Sequence, residues 1–192
     1  MDALLCVLWM VQVAMQPLSQ VAGDGRLSTQ QQIDSSHSSA AFAVHPHLQE
    51  AMTGKFESPT GTMEKLTNGR LRVDFSLKAA SVVFPDRQRI TTLTRSEAFF
   101  DAVHHPIVHF RSNPFPMSLL REGGRISGAL DLRGVSNQVQ FVFAKAGCAQ
   151  PGFSCALHAA GKISRNAFGM TRYKMLVQDN VDIVIDVRFR RP

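Results

Sequence analysis

Apolar and polar residues alternate over much of the chain between residues 39 and 189. In the clearest case, residues 70–78, every second side chain is leucine, valine or phenylalanine, and the side chains between them are charged or carry a hydroxyl. A period of two residues is typical of a β-strand with one buried face. The same pattern predicts strands over residues 39–44, 107–111, 126–132, 138–143 and 181–189, and a less regular one over 153–163.

The segment 84–112 interrupts this alternation, and part of it is predicted to be a short helix. Ser96 can cap the N-terminus of a helix over residues 97–103, because its hydroxyl accepts a hydrogen bond from a free backbone N–H. Phe99 and Phe100 are adjacent and cannot share one helix face. We therefore expect at least one of the two rings to point into the interior, with the helix lying as a lid over the strands.

Turn signals separate the predicted strands, as at Asn68-Gly69 and Gly123-Gly124. About eight strands with one helix and no alternation of strands and helices predict an all-β, antiparallel sandwich or barrel. A closed eight-stranded barrel has room for its own side chains or for one small ligand.

The N-terminal residues predict an export signal. Residues 3–15 form an apolar run of about the length of a signal-peptide core, and Pro17 and the small residues 21–23 follow it. Asp2 departs from the basic start of most signals. We expect a signal peptide over 1–23, a polar lead-in over 24–32 and one barrel domain over 33–192.

Two cysteines of the expected mature chain flank a turn. Cys148 and Cys155 bracket Pro151-Gly152, and in an exported protein such a pair favours a disulfide. The alternative is a metal site, for which His158 is the only further ligand nearby. A disulfide across so short a loop is expected to contribute ~2–3 kcal/mol.

Composition leaves the nature of the interior open. The chain has 13 Phe but one Tyr and one Trp, so its interior is dry. From the residues alone, either a solid core or an apolar cavity accounts for this. The net charge is +6 but is scattered, which does not predict nucleic-acid binding, whereas an anionic membrane surface stays compatible with it.

Four segments resemble motifs of the YceI-like family in the family's order. Residues 33–42 (IDSSHSSAAF) resemble its I-D-x-x-H-S-x-V-x-F opening, and residues 95–112 resemble its R-S-x-x-F-F-D…P…F-x-S core. Residues 128–135 (GALDLRGV) resemble G-x-L-x-L-R-G-V, and residues 163–170 (ISRNAFGM) resemble I-x-R-x-x-F-G-M. The resemblance covers roughly residues 30–189. The chain departs from the family at Pro46, where relatives often carry His.

The resemblance implies an antiparallel eight-stranded lipocalin-like barrel with one short helix and an elongated apolar cavity. Family members are usually periplasmic and bind polyisoprenoids, isoprenoid quinones or fatty amides. Some are linked to a membrane cytochrome of the b561 type, and no catalytic residue set defines the family. No obligatory cofactor is expected, and a bound isoprenoid lipid or quinone is compatible with the resemblance.

We expect inward-facing apolar side chains to line this cavity and polar ones to form its rim. The predicted lining residues are Phe42, Val44, Phe56, Val73, Phe75, Leu77, Phe99, Phe100, Val108, Phe110, Leu130, Phe141, Phe143, Phe168, Ile183 and Ile185. The predicted rim residues are Arg95, Ser96 and Arg165. The guanidinium groups of the two arginines suit a phosphate or carbonyl head group. The alternative for these arginines and Arg133 is structural, as donors to turn carbonyls.

The sequence contains no pattern that predicts catalysis or a metal site. Its seven histidines do not recur with carboxylates at the spacing of a three- or four-ligand site. No G-x-S-x-G or H-E-x-x-H motif is present.

Three functions are therefore considered. The leading hypothesis is a non-enzymatic carrier that binds, sequesters or transports a long apolar ligand in the periplasm. The others are a secreted stress or interaction module with a filled core, and a quinone-presenting partner of a b561-type cytochrome. A homodimer formed by an exposed edge strand is also compatible with the sequence.

Overall fold

The computed structural model describes residues 30–191. The strands are β1 (Gln30–Gln32), β2 (Ser39–Pro46), β3 (Met52–Phe56), β4 (Thr60–Lys65), β5 (Leu71–Lys78), β6 (Val82–Val83), β7 (Ile107–Ser112), β8 (Gly124–Leu132), β9 (Val135–Phe143), β10 (Leu157–Ser164) and β11 (Val177–Val187). The α-helices are α1 (Gln88–Arg95) and α2 (Leu119–Glu122), and 3-10 turns span Ala79–Ser81 and Asn166–Phe168.

All strand pairs are antiparallel, in the order β1-β4-β5-β7-β8-β9-β10-β11-β2-β3-β6. Six of the segments are halves of three interrupted strands: β1 with β2, β3 with β4, and β5 with β6. The first interrupted strand lies beside the second, because β2 pairs with β3 and β1 pairs with β4. The second lies beside the third, because β3 pairs with β6 and β4 pairs with β5. The eleven segments therefore form eight long strands, each beside the next in the chain.

The last strand returns to the first and closes the sheet. β11 pairs with β2, with Ile183 opposite Phe42. Beyond the end of β11, Phe189 forms a bridge with Ile33, and the Arg190 N–H donates to the Gln32 carbonyl at 2.8 Å. The predicted eight-stranded antiparallel barrel is confirmed, and residues 30–32 of the predicted lead-in belong to it.

Local hydrogen bonding explains the break between β1 and β2. The Asp34 carboxylate accepts hydrogen bonds from the Ser36 hydroxyl at 2.5 Å and from His37 Nδ1 at 2.7 Å. These bonds lower the pKa of Asp34 to about 2, and the bond from Ser36 has the largest effect. The acid and histidine of the opening motif thus stabilise a turn that lets one strand change direction.

The predicted helix over residues 97–103 is wrong. The helix of this segment is α1, which ends where the predicted helix was to begin, and the Ser96 hydroxyl donates to the Leu93 carbonyl at 2.7 Å. The chain then folds back, because the Phe100 N–H bonds the Thr94 carbonyl at 3.0 Å and Asp101 has a left-handed φ of 48°. α1 is rich in threonine, which has a low helix propensity, so the sequence indicates this helix only weakly.

The alternation of side chains matches the burial of the strands. In β5, Leu71, Phe75 and Leu77 are buried, as the period of two predicts. The predicted disulfide between Cys148 and Cys155 is present in the loop between β9 and β10. The predicted signal peptide lies outside the described residues.

Arg165 organises the loop between β10 and β11. Its side chain is only 2% exposed. Its guanidinium group donates to carbonyls on both sides of the loop, those of Met170, Arg172, Val177 and Gln178. Burial lowers the pKa of Arg165 from its ordinary value, and the charge of Asp179 opposes this shift. The loop conformation therefore depends on one buried cation.

We predict that Arg165→Met lowers the free energy of unfolding by about 3 kcal/mol or more, because several buried carbonyls lose their donor at ~1–3 kcal/mol each. Urea denaturation followed by fluorescence or circular dichroism measures this. Arg111→Met is the matched control, since Arg111 is exposed on β7, and we expect a change within about 0.5 kcal/mol. Equal losses in the two variants would contradict the role of Arg165.

An apolar cavity as the candidate binding site

The barrel encloses a cavity of about 290 Å³. All eight long strands contribute side chains to it, and α1 and the loop between β10 and β11 cover one end. The lining is almost wholly apolar. Its charged side chain, Arg165, already bonds backbone carbonyls. The cavity therefore offers contact area for a hydrocarbon and few hydrogen-bonding partners.

Most of the predicted lining residues border this cavity. They are Phe42, Val44, Phe56, Phe75, Leu77, Phe99, Phe100, Val108, Phe110, Leu130, Phe141, Ile183 and Ile185. Three do not: Val73 and Phe143 border a second, smaller cavity, and Phe168 borders neither. Phe168 is 2% exposed and lies in the 3-10 turn after β10, so its side chain is part of the solid core.

The residues of the cover are not among the predicted lining residues. Ile90 and Leu93 of α1 border the cavity, as do Met170, Tyr173 and Leu176 of the β10–β11 loop. The three-residue spacing of Ile90 and Leu93 was a weak helical signal. The loop residues show no periodicity, because their positions depend on the hydrogen bonds of Arg165.

The predicted rim residues do not form a polar rim around the cavity, and of the three only Arg165 borders it. Arg95 donates from Nε and Nη2 to the Val82 carbonyl at 3.0 and 2.7 Å, and neither Arg95 nor Ser96 borders the cavity. Arg165 does border it, but its donors are engaged by carbonyls. The structural alternative accounts for these arginines.

Arg133 plays a similar part in the turn between β8 and β9. It donates to the Glu97 carbonyl at 2.9 Å and to the Gly169 carbonyl. It thereby ties the segment after α1 to the β10–β11 loop, which is part of the cover.

The two adjacent phenylalanines have different positions. Phe100 is buried and packs edge-on against Phe42 and Phe56, with ring centroids 5.7 and 5.5 Å apart. Phe99 is half-buried and stacks on Tyr173, with centroids 5.8 Å apart and an angle of 3° between the rings. Because Tyr173 is exposed and also borders the cavity, this stacked pair marks the mouth.

Three aromatic rings and one isoleucine lie at the other end of the cavity. The second cavity, of about 40 Å³, shares Phe75, Phe110, Phe141 and Ile185 with the main cavity. Phe110 and Phe141 meet edge to face at 5.2 Å. These four residues, the septum, separate the two cavities.

The histidines of the described residues mostly pair with aspartates near the surface. His45 lies 2.7 Å from Asp182, and His109 lies 2.7 Å from Asp74 and 3.5 Å from Asp131. The two aspartates of His109 contact opposite ring nitrogens, so the three groups do not converge on one point. Residues 30–191 contain no group of three His, Cys, Asp or Glu side chains that could hold a metal ion.

Comparisons with known proteins agree with this architecture. The structure of BcnA from Burkholderia cenocepacia matches with a TM-score of 0.64 and 17% identity, covering 81% of this chain and 98% of that chain. A polyisoprenoid binding domain from Saccharophagus degradans, implicated in plant cell wall breakdown, matches with a TM-score of 0.62 and 13% identity, covering 86% and 99%. The YCEI protein of Campylobacter jejuni matches with a TM-score of 0.58 and 20% identity, covering 76% and 90%.

At these identities the structural matches show a shared fold. No curated protein sequence matches the chain significantly. The sequence model of the YceI-like domain family matches residues 31–189, which is most of the chain. Together with the four motifs and the closed barrel, this match establishes that the chain belongs to the YceI-like domain family.

Proposed function

We propose that the protein is a non-enzymatic carrier that binds a long apolar chain, such as a polyisoprenoid, an isoprenoid quinone or a fatty amide, in the periplasm. The observation that carries this proposal is the cavity of about 290 Å³ with an apolar lining from every strand of the barrel. A solid core would leave no such space, because protein interiors are close-packed.

The energetics of such a site favour hydrocarbon over polar ligands. Burial of each CH₂ group contributes ~0.8 kcal/mol, so one isoprene unit contributes a few kcal/mol. Thr94 and Arg165 are the buried polar residues of the lining. A polar ligand would lose its hydrogen bonds to water at this site and gain few in return.

The same chemistry supports binding rather than catalysis. Arg165, the charged group of the lining, is engaged in backbone hydrogen bonds, so it is not free to transfer a proton or to bind a developing charge. The disulfide between Cys148 and Cys155 is compatible with an oxidising compartment. The relative from Saccharophagus degradans is described as a polyisoprenoid binding domain, which supports the ligand class.

The stacked pair at the mouth favours a quinone among these ligands as a second candidate. Phe99 and Tyr173 are nearly parallel, and a flat quinone head group can stack against such a surface. In that case the protein would present a quinone to a membrane cytochrome of the b561 type.

The first test is to identify what the protein carries. We expect native mass spectrometry of protein purified without detergent to show an adduct, and solvent extraction to release an isoprenoid or fatty chain. Adding the extracted lipid should raise the free energy of unfolding, by about 2.7 kcal/mol at a free concentration of 100 Kd. No adduct, and no stabilisation by prenols or quinones of any chain length, would contradict the proposal.

Filling the cavity tests whether it is the binding site. We predict that Ile183→Trp abolishes lipid binding and leaves the free energy of unfolding nearly unchanged, because the indole enters existing space. Ile126→Trp is the control with the same change. Ile126 is buried beside the 40 Å³ cavity only, so this variant should lose ~1–3 kcal/mol through overpacking. Destabilisation of both variants, with lipid binding retained by Ile183→Trp, would indicate a filled core.

Opening the septum tests whether it limits chain length. We predict that Phe141→Ala shifts the preferred prenol towards chains longer by about one isoprene unit, since it joins two apolar cavities. Competition among prenols of graded length, read by mass spectrometry, measures the shift. Phe115→Ala is the control, because Phe115 is buried but borders neither cavity. Phe115→Ala should lower the free energy of unfolding by a similar ~3–5 kcal/mol without changing the preferred prenol length. The same preferred length in both variants would contradict the role of the septum.

A further inference from the structure

Two loops lie side by side at the mouth of the cavity. The His47 N–H donates to the Leu176 carbonyl at 3.0 Å, which joins the loop after β2 to the loop before β11. Tyr173 and Leu176 of the second loop also border the cavity. The N-terminus of α1 is close as well, since Arg87, the residue that precedes the helix, contacts Met52, another cavity residue. We call residues 47–51, 85–89 and 171–176 together the mouth face.

The mouth face exposes large apolar side chains. Leu48 is 91% exposed and Met175 is 88% exposed, and Leu176 and Tyr173 are exposed beside them. Single exposed apolar residues are common on soluble proteins, but several clustered at one place mark a contact surface. Leu48 and Met175 do not border the cavity, so ligand binding does not account for their exposure.

The charge of the mouth face is positive. Its basic residues are Arg87, Arg89, Arg172 and Lys174, and its acidic residues are Glu50 and Asp86. In residues 171–176 the basic side chains lie next to tyrosine, methionine and leucine. Apolar and aromatic side chains flanked by Lys and Arg are the composition that binds at the interface of an anionic bilayer.

We propose that the mouth face docks on the surface of an anionic lipid bilayer, with Leu48 and Met175 inserted among the head groups. The proposal rests on the proposed function, because a bilayer is where a long apolar ligand is dissolved. Docking at the mouth would let the chain pass between bilayer and cavity without crossing water. The positive charge selects an anionic lipid surface rather than a neutral apolar partner.

The test is co-sedimentation of the purified protein with vesicles of phosphatidylcholine, with and without one quarter phosphatidylglycerol. We expect binding to the anionic vesicles that weakens as salt is raised. Met175→Glu should weaken it about 10-fold or more, and Arg172→Gln and Lys174→Gln by about fivefold each. Met117→Glu is the matched control, since Met117 is 48% exposed near the opposite end of the barrel, and its binding should equal that of the wild type.

Wild-type protein that does not bind anionic vesicles would overturn the proposal, as would equal losses in Met117→Glu and Met175→Glu. Self-association of the wild type that Met175→Glu abolishes, without vesicle binding, would assign the face to a second copy of the chain instead. Loading of the protein with prenol from detergent solution tests the proposed function without any docking on a bilayer. Met175→Glu should load normally from detergent but slowly from vesicles, whereas failure of wild-type loading from detergent would overturn the proposed function alone.

Discussion

The open end of the barrel depends on arginine side chains that bond backbone carbonyls. Its cover consists of α1, irregular segments and turns, whose carbonyls lack a ladder partner and are costly to bury unpaired. Arg95 bonds residue 82, and Arg133 bonds residues 97 and 169. Arg165 bonds two carbonyls of the β10–β11 loop and two at the start of β11. A guanidinium group carries five donors in a rigid plane, so three side chains can hold a cover that has little regular structure. These bonds keep the cover in place over the apolar cavity.

A closed eight-stranded barrel is narrow enough to be filled by its own side chains, so the cavity also requires a particular packing of the rings. Glycine supplies it at two places. A Cβ atom at Gly54 would lie 2.6 Å from Cζ of Phe42, and one at Gly161 would lie 2.6 Å from Cδ1 of Phe141. The two rings therefore pack directly against glycine backbone, in space that the Cβ of any other residue would fill.

How far the sequence predicts this structure depends on which physical signal each part carries. A strand with one buried face must alternate, so β5, β8 and most of β11 are evident, and the order of the motifs predicts the barrel. β3 contains Gly54, β4 contains Gly61, and Pro59 lies between the two strands; these residues weaken the alternation. The cover is the part least evident, because its conformation depends on contacts distant in sequence. Arg95 and Arg165 appear as candidate ligand-binding residues in the sequence, since no local pattern distinguishes a guanidinium group that binds carbonyls from one that binds a head group.

The engagement of the arginines by backbone carbonyls limits how the cavity can select a ligand. With Arg165 engaged by the backbone, selection inside the barrel depends on shape and length, because each buried CH₂ group contributes a similar free energy. For the proposed carrier, affinity would then rise with chain length until the chain reaches the septum formed by Phe75, Phe110, Phe141 and Ile185. Any further length, together with a polar head group, would remain at the mouth beside Tyr173. There, water and the exposed loops could satisfy the hydrogen bonds of the head group.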